Sequence, residues 1–258
     1  MKSLKVVILA VFFIVFSSIS IYSQDLLDIN SLYISFSASY MELKDQINLG
    51  FVFIGPDAAI DVGYMERDDR RLIDYTFSTG GGGKKYNETM RIRGELSPVD
   101  FTYSFNIFNK NKTSIYIGPS LNVKYGLQSL PDMHGEFLSW MTNYTIGFNA
   151  TAFFQLGRIP VKFQIRNSLF SLTSRPEIDK ISEYSSQNIW EFISNSHSNM
   201  QFSTFYQYLE TGLSAELMLN DQHSLALEFQ YNLYFEEPEF EEMFFTIFYT
   251  FYFKGVDW

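Results

Sequence analysis

The sequence contains no cysteine among its 258 residues, which excludes disulfide bonds, thiolate metal ligands and thiol nucleophiles. Cationic residues are also scarce: 19 Lys and Arg stand against 29 Asp and Glu, for a formal net charge of −10. An acidic chain binds nucleic acid poorly, so we expect no nucleic-acid partner. Beyond residue 16, no segment approaches the roughly 18 consecutive apolar residues of a membrane-spanning helix, and we predict none there.

The first 23 residues have the composition of a secretory signal peptide. Two lysines precede the apolar segment 6–16, and serines follow it up to Ser23. The apolar segment is shorter than the ~20 residues of a spanning helix, which argues against an uncleaved anchor. We therefore predict a signal peptide over 1–23 and one mature domain over 24–258.

Most of that mature chain alternates apolar and polar residues one for one. The clearest segments are 99–108, 115–125, 140–156 and 225–235. A period of two indicates extended strands with one apolar face, which a soluble β-sandwich or lipocalin-like barrel also shows. Here the polar face is mostly Ser, Thr, Asn, Gln and Gly, which suits a wet lumen. The strands also exceed the ~9–11 residues of a membrane crossing, so we predict an all-β, antiparallel, up-and-down transmembrane β-barrel.

We predict about twelve strands, or ten if residues 72–78 form none. Residues 55–57 and 78–85 are predicted connections, 66–71 a charged loop. The predicted strands are 32–43, 47–54, 58–66, 72–78, 86–96, 99–108, 114–126, 139–156, 160–170, 200–219, 223–235 and 243–253.

Tight and long connections alternate in the C-terminal part of the chain. The tight ones are 109–113, 157–159 and 220–222, and the long ones are 127–138, 171–199 and 236–242. Periplasmic turns and extracellular loops of membrane barrels alternate in this way. We therefore expect both termini in the periplasm.

The last predicted strand ends in the pattern Tyr249-x-Phe251-x-Phe253, and residues 115–126 form a strand of a common barrel type. Both resemble the outer-membrane β-barrel superfamily of Gram-negative bacteria, with its porin-like and small barrels. The resemblance implies an outer-membrane location, contact with outer-membrane lipid and lipopolysaccharide, and insertion by the barrel-assembly machinery. It implies architecture rather than an activity, and we expect no cofactor.

The two faces of the predicted strands carry different residues. The outward face is predicted to hold lipid-facing aromatic side chains, at Trp140, Tyr144, Phe148, Phe154, Phe251 and Phe253. The inward face carries charges of both signs, at Arg91, Arg93, Glu95, Asp100, Lys124, Lys162, Arg166, Glu210, Glu216 and Glu228. Such charges either sort solutes in a hydrated pore or pair with one another in a closed barrel.

Three functions are compatible with these residues. The first hypothesis is a passive or loop-restricted channel for small solutes, in which loop 171–199 acts as a lid or constriction. The second is a closed barrel whose extracellular loops serve binding, adhesion or envelope assembly, with an unidentified envelope protein as partner. Residues 236–242 are acidic, but their spacing matches no defined metal loop, so we predict no metal site.

The third hypothesis is a hydrolase at the barrel mouth. Asp132 and His134, with Asp68 and Asp69 as partners, faintly resemble the Asp-His and Asp-Asp pairs of omptin-like proteases. The chain has only three histidines, and the sequence gives the others no base or orienting group. We therefore predict no enzymatic activity and no catalytic residues.

Overall fold

The computed structural model describes residues 29–44, 52–86, 89–110, 112–130, 137–157, 159–174, 191, 194–197, 200–204, 208–220, 222–234 and 239–253. The predicted signal peptide lies outside the described residues, as do Asp132, His134 and most of loop 171–199. Within the described residues, no helix is long and apolar enough to cross a membrane.

Eleven strands follow one another along the chain. They are β1 (Ile29–Lys44), β2 (Val52–Arg67), β3 (Arg71–Tyr86), β4 (Thr89–Lys110), β5 (Thr113–Leu130), β6 (Phe137–Leu156), β7 (Ile159–Ser174), β8 (Gln201–Thr204), β9 (Tyr208–Met218), β10 (His223–Tyr234) and β11 (Glu239–Phe253).

The strands form one antiparallel sheet that closes on itself. Each strand pairs with its neighbour in the chain, and β1 closes the sheet by pairing with β11, from Asn30–Phe253 to Lys44–Glu239. The barrel has ten strands, β1–β7 and β9–β11, and the short β8 pairs with β7 beyond the end of β9. The predicted all-β antiparallel barrel is confirmed, with ten strands rather than twelve.

Two predicted connections are wrong because they lie inside continuous strands. Residues 55–57 belong to β2, where Pro56 lies opposite Tyr40 of β1. On the other side of β2, the pairs step from Ile54–Lys85 to Ala58–Gly81, so the missing N–H of Pro56 falls at a gap in the ladder. Predicted strands 47–54 and 58–66 are therefore one strand.

The glycines at 80–83 continue β3, and the predicted strand 72–78 belongs to it as well. Gly80 pairs with Glu95 and Gly83 with Ile92 of β4. A Cβ at Gly81 would lie 2.3 Å from the Arg93 carbonyl oxygen, so these glycines allow close approach of two backbones rather than a turn.

Predicted strands 86–96 and 99–108 are likewise one strand, β4, with a bulge. The register to β5 shifts between Leu96 and Val99, on either side of Pro98. Odd residues such as Arg93 are buried before the bulge, and even residues such as Thr102 are buried after it. The bulge therefore keeps charged residues on both sides of it facing inward.

The outer wall of the barrel is apolar and its interior is polar. In β1, Ser31 and Ser35 are buried, whereas Leu32, Ile34 and Phe36 are at least half exposed. This arrangement is the reverse of a soluble β-sandwich or lipocalin-like barrel, which buries its apolar face. The outer wall is therefore suited to contact with hydrocarbon rather than water.

The two ends of the barrel differ in their connections. At the tight-turn end lie the connections at 68–70, 111–112, 157–158 and 219–222, with the start of β1 and the end of β11. In one of these turns, Asp68 Oδ1 accepts hydrogen bonds from the backbone N–H groups of Arg70 and Arg71, both at 2.7 Å. At the opposite end, called the long-loop end, lie the connections at 45–51, 87–88, 131–136, 175–200 and 235–238, of which 87–88 alone is short. Residues 68–70 of the predicted charged loop 66–71 therefore form a tight turn. In a barrel of twelve strands, the alternation of connections would place this loop at the other end, among the extracellular loops.

Cysteine labelling would test this reassignment, since the chain has no native cysteine. We expect the tight-turn end to face the periplasm. A membrane-impermeant thiol reagent on intact cells should then label Ser185→Cys and leave Asp69→Cys and Lys112→Cys unlabelled. All three should react after the outer membrane is permeabilised. Labelling of both Asp69→Cys and Ser185→Cys in intact cells would instead support the twelve-strand topology.

Candidate functional site

The middle of the barrel encloses a polar cavity of about 200 Å³, here called the central chamber. Tyr33, Phe248 and many small hydroxyl residues contribute to its lining. Its charged lining consists of six carboxylates and three cations: Asp61, Asp74, Glu95, Asp100, Glu210 and Glu228, with Lys124, Lys162 and Arg166.

Two ion pairs cross this chamber from one side of the barrel to the other. Arg166 Nη1 of β7 lies 2.6 Å from Asp100 Oδ2 of β4, with β5 and β6 between the two strands. Lys162 Nζ of β7 lies 3.8 Å from Asp74 Oδ2 of β3, which is one strand further round the wall. The chamber is therefore spanned by side chains rather than only lined by them.

Other pairs connect neighbouring strands along the wall. Arg166 Nη1 also lies 3.9 Å from Glu210, whose Oε1 accepts a hydrogen bond of 2.7 Å from Gln230 Nε2. Glu95 pairs with Arg93 and with Lys124 Nζ, the latter at 3.2 Å. The paired carboxylates and lysines of the chamber keep 12–23% of their side-chain surface exposed, so water reaches them.

Side chains also cross the interior of the barrel at the tight-turn end. A second cavity, of about 80 Å³, contains Glu216, which accepts hydrogen bonds from the hydroxyl groups of Ser224 and Tyr252. Arg67 of β2 borders this cavity, and its Cζ lies 4.1 Å from the ring centroid of Phe153 in β6, across the barrel.

Tyr116 adds a third member to this contact. It is fully buried, its ring packs edge-on against that of Phe153 at 5.9 Å, and its hydroxyl donates to the Asp68 carbonyl oxygen at 2.7 Å. We call Arg67, Tyr116 and Phe153 the closing layer, because they fill the interior just above the tight turns.

The predicted inward charges are distributed over three levels of the barrel. Arg91 and Arg93, 0% and 2% exposed, lie in the part of β4 near the long-loop end, and the Arg91 guanidinium is 5.7 Å from the Phe53 ring centroid. Glu216 lies in the second cavity. The others line the central chamber: Glu95, Asp100, Lys124, Lys162, Arg166, Glu210 and Glu228.

Four interior groups, all in β1–β3, were not predicted from the sequence: Tyr33, Asp61, Arg67 and Asp74. Tyr33 donates a hydrogen bond to Asp74 Oδ1 at 3.0 Å, and Ser35 Oγ donates to Asp61 Oδ2 at 2.5 Å. Uninterrupted alternation through Pro56 would have placed Asp61 and Arg67 on the inward face together.

The predicted lipid-facing aromatic residues differ in exposure. Phe148 is 40% exposed, and Tyr144, Phe154 and Phe251 are partly exposed. The side chain of Phe253 lies outside the described residues. Trp140 is 4% exposed, so its prediction as a lipid-facing residue is wrong. Thr142, which shares its outward parity in β6, is also buried, so this end of the outer wall is covered.

The described part of the long loop lies on that same outer wall. The His197 ring is 5.7 Å from Tyr125 and 6.3 Å from Tyr144, measured between centroids, and both tyrosines point outward from β5 and β6. Their hydroxyl groups are 3.0 Å apart. His197 is thus outside the barrel rather than in the lumen.

The geometry also separates the residues of the proposed protease-like site. Asp68 and Asp69 lie at the tight-turn end, whereas the connection containing Asp132 and His134 joins β5 to β6 at the opposite end. Asp132 and His134 themselves lie outside the described residues. Among the residues that the structure describes, no group of three or more His, Asp or Glu side chains could hold a metal ion.

Comparisons with known proteins find similarity in fold. No family model and no curated protein sequence matches the chain. The translocator domain of the autotransporter NalP from Neisseria meningitidis matches with a TM-score of 0.51 at 8% identity, covering 87% of this chain and 88% of that domain.

Two further solved barrels have lower scores. The β domain of the Bordetella autotransporter BrkA scores 0.42 at 9% identity, covering 88% and 100% of the two chains. The outer-membrane protease OmpT of Escherichia coli scores 0.45 at 7% identity, covering 91% and 99%. The closed antiparallel barrel, its apolar outer wall and its likeness to the NalP domain show that this chain has the fold of an outer-membrane β-barrel.

Proposed function

We propose that this protein is a closed outer-membrane barrel that acts by binding at its long-loop end rather than by passing solutes. The observation that carries the proposal is the pair of ion pairs across the central chamber, Arg166–Asp100 and Lys162–Asp74. The contact of Arg67 with Phe153 adds a second crossing below them.

Energetics support this assignment. A solute that moves along the lumen has to separate charges that are held in a low-dielectric interior. Removing one partner of a buried pair costs about 3–5 kcal/mol, because the other charge is left uncompensated. A barrel held together in this way is suited to be a scaffold for its loops. We also propose that it is not an enzyme, and that lipopolysaccharide and the barrel-assembly machinery are its membrane partners.

The restricted channel is the second candidate, and the hydration of the chamber favours it. Its lysines and carboxylates are reached by water, as ions in a pore have to be. In that case an opening of the closing layer would have to join the chamber to the periplasm.

Conductance in planar bilayers distinguishes the two candidates. We expect the refolded wild-type protein to give no steady current. A variant in which Asp74, Asp100, Lys162, Arg166 and Glu210 are replaced by serine, together with Arg67 and Phe153, should conduct, because every crossing described above is gone and neither carboxylate partner of Arg166 is left behind. Steady wild-type conductance whose ion selectivity shifts in Lys162→Gln would contradict the closed barrel.

A further inference from the structure

The charges that line the central chamber do not balance. Six carboxylates face three cations, and Arg93, which pairs with Glu95 from outside the lining, raises the number of cations to four. Two carboxylates therefore have no cation within ion-pair distance. Enclosed charge of one sign is costly in a barrel interior unless a counter-charge is present.

The ion pairs show which two carboxylates are left over. Arg166 pairs with Asp100 and Glu210, Lys162 pairs with Asp74, and Lys124 pairs with Glu95, as described above. Asp61 accepts a hydrogen bond from Ser35 and has no cation. Glu228 makes no hydrogen bond or ion pair anywhere in the described part of the chain, although it faces the chamber.

Asp61 and Glu228 flank the same part of the wall. Asp61 of β2 lies opposite Ser35 of β1, and Glu228 of β10 lies opposite Thr246 of β11. Between them, β1 and β11 pair directly, and Thr246 lies opposite Ser37. The wall between the two carboxylates thus carries the small hydroxyl side chains of Ser35, Ser37 and Thr246, with Phe248 opposite Ser35.

Two aromatic rings border this part of the chamber. Tyr33 and Phe248 both line the chamber, and their rings pack edge-to-face at 5.8 Å. Gly212 also leaves room beside Glu228, since a Cβ there would lie 3.5 Å from Glu228 Oε1. The space therefore combines carboxylates for ammonium groups, hydroxyls that accept hydrogen bonds, and apolar rings for methylene groups.

We propose that the central chamber binds a small organic cation with one or two ammonium groups, held between Glu228 and Asp61. A compact divalent metal fits less well, because such an ion requires several oxygens converging at about 2.0–2.6 Å. In the part of the chain that the structure describes, no cluster of three metal-ligating side chains is present.

Calorimetric titration of the refolded, full mature barrel with 1,4-diaminobutane tests the proposal. We expect saturable binding of one molecule per barrel. Glu228→Gln should weaken binding about tenfold or more, the effect of losing a hydrogen bond to a charged group. Asp69→Asn, an exposed carboxylate in a tight turn, is the matched control and should bind as the wild type does.

Two further measurements keep the outcome decisive. The uncharged analogue 1,4-butanediol and calcium chloride at matched ionic strength should both bind much more weakly than the diamine. Without ligand, Glu228→Gln should be at least as stable as the wild type, because no protein partner is lost. The proposal is overturned if the wild type does not bind the diamine, if calcium binds as tightly, or if Glu228→Gln binds equally well or unfolds more easily.

Discussion

Replacing Arg166 by methionine is expected to lower the free energy of unfolding by about 3–5 kcal/mol. Methionine fills similar volume but strands Asp100, which lies 2.6 Å from the guanidinium, and leaves Glu210 without its cation. The double variant Arg166→Met, Asp100→Asn should recover a large part of the loss. Reversible urea unfolding in lipid vesicles would measure both.

The control for this experiment is Arg71→Met. Arg71 also forms an ion pair, with Glu66 at 2.7 Å, but its side chain is 45% exposed in the tight turn. Exposed pairs contribute at most about 1 kcal/mol, so this variant should be nearly neutral. If Arg166→Met were equally neutral, the interior charges would be solvated independently of one another, as in an open pore.

Arginine on the outer wall should be the second costly change. Leu121 is 39% exposed in the middle of β5, on the face suited to hydrocarbon. Leu121→Arg should destabilise the barrel in vesicles by about 2–4 kcal/mol, the cost of arginine near the bilayer midplane on a lipid-facing strand.

Its neighbour Asn122 provides a matched position on the opposite face of the same strand. Asn122 lines the central chamber and lies opposite Asp100 of β4. Asn122→Arg should cost much less, because the new cation enters a space with surplus carboxylates. Equal unfolding free energies for the two variants would mean that the two faces of β5 are assigned incorrectly.

Strict alternation correctly predicted which side chains point into the barrel in the later strands. Nearer the N-terminus, proline and glycine residues within strands led to wrongly predicted connections. In β6, Thr145, Asn149 and Thr151 are buried and Ile146 is exposed, as a period of two requires. Pro56 and the glycines at 80–83 are common turn residues, yet here they lie within strands. The barrel wall tolerates them because neighbouring strands supply the pairing and the close packing that these residues allow.

The contacts of the candidate site were beyond the reach of sequence periodicity. The alternation of apolar and polar residues places Lys162 and Asp74 on the inward face, provided that the strand containing each residue is assigned correctly. Their contact depends further on how many strands separate them round a closed wall, which a local pattern does not contain. The position of His197 against Tyr125 was equally hidden, because the path of a long loop is set by tertiary packing.

The pairing of β1 with β11 has a consequence for the time course of folding. The first strand of the barrel, β1, has to wait for the last strand, β11, before its free edge is covered. The entropic cost of joining distant segments rises slowly, by about 0.6 kcal/mol per doubling of the loop. The pairing of β1 with β11 therefore affects the rate of folding more than the stability of the folded barrel, because contacts between distant segments slow folding. Until β11 arrives, the exposed edge of β1 is open to pairing with other chains, and a helper that shields it in the periplasm would favour closure over aggregation.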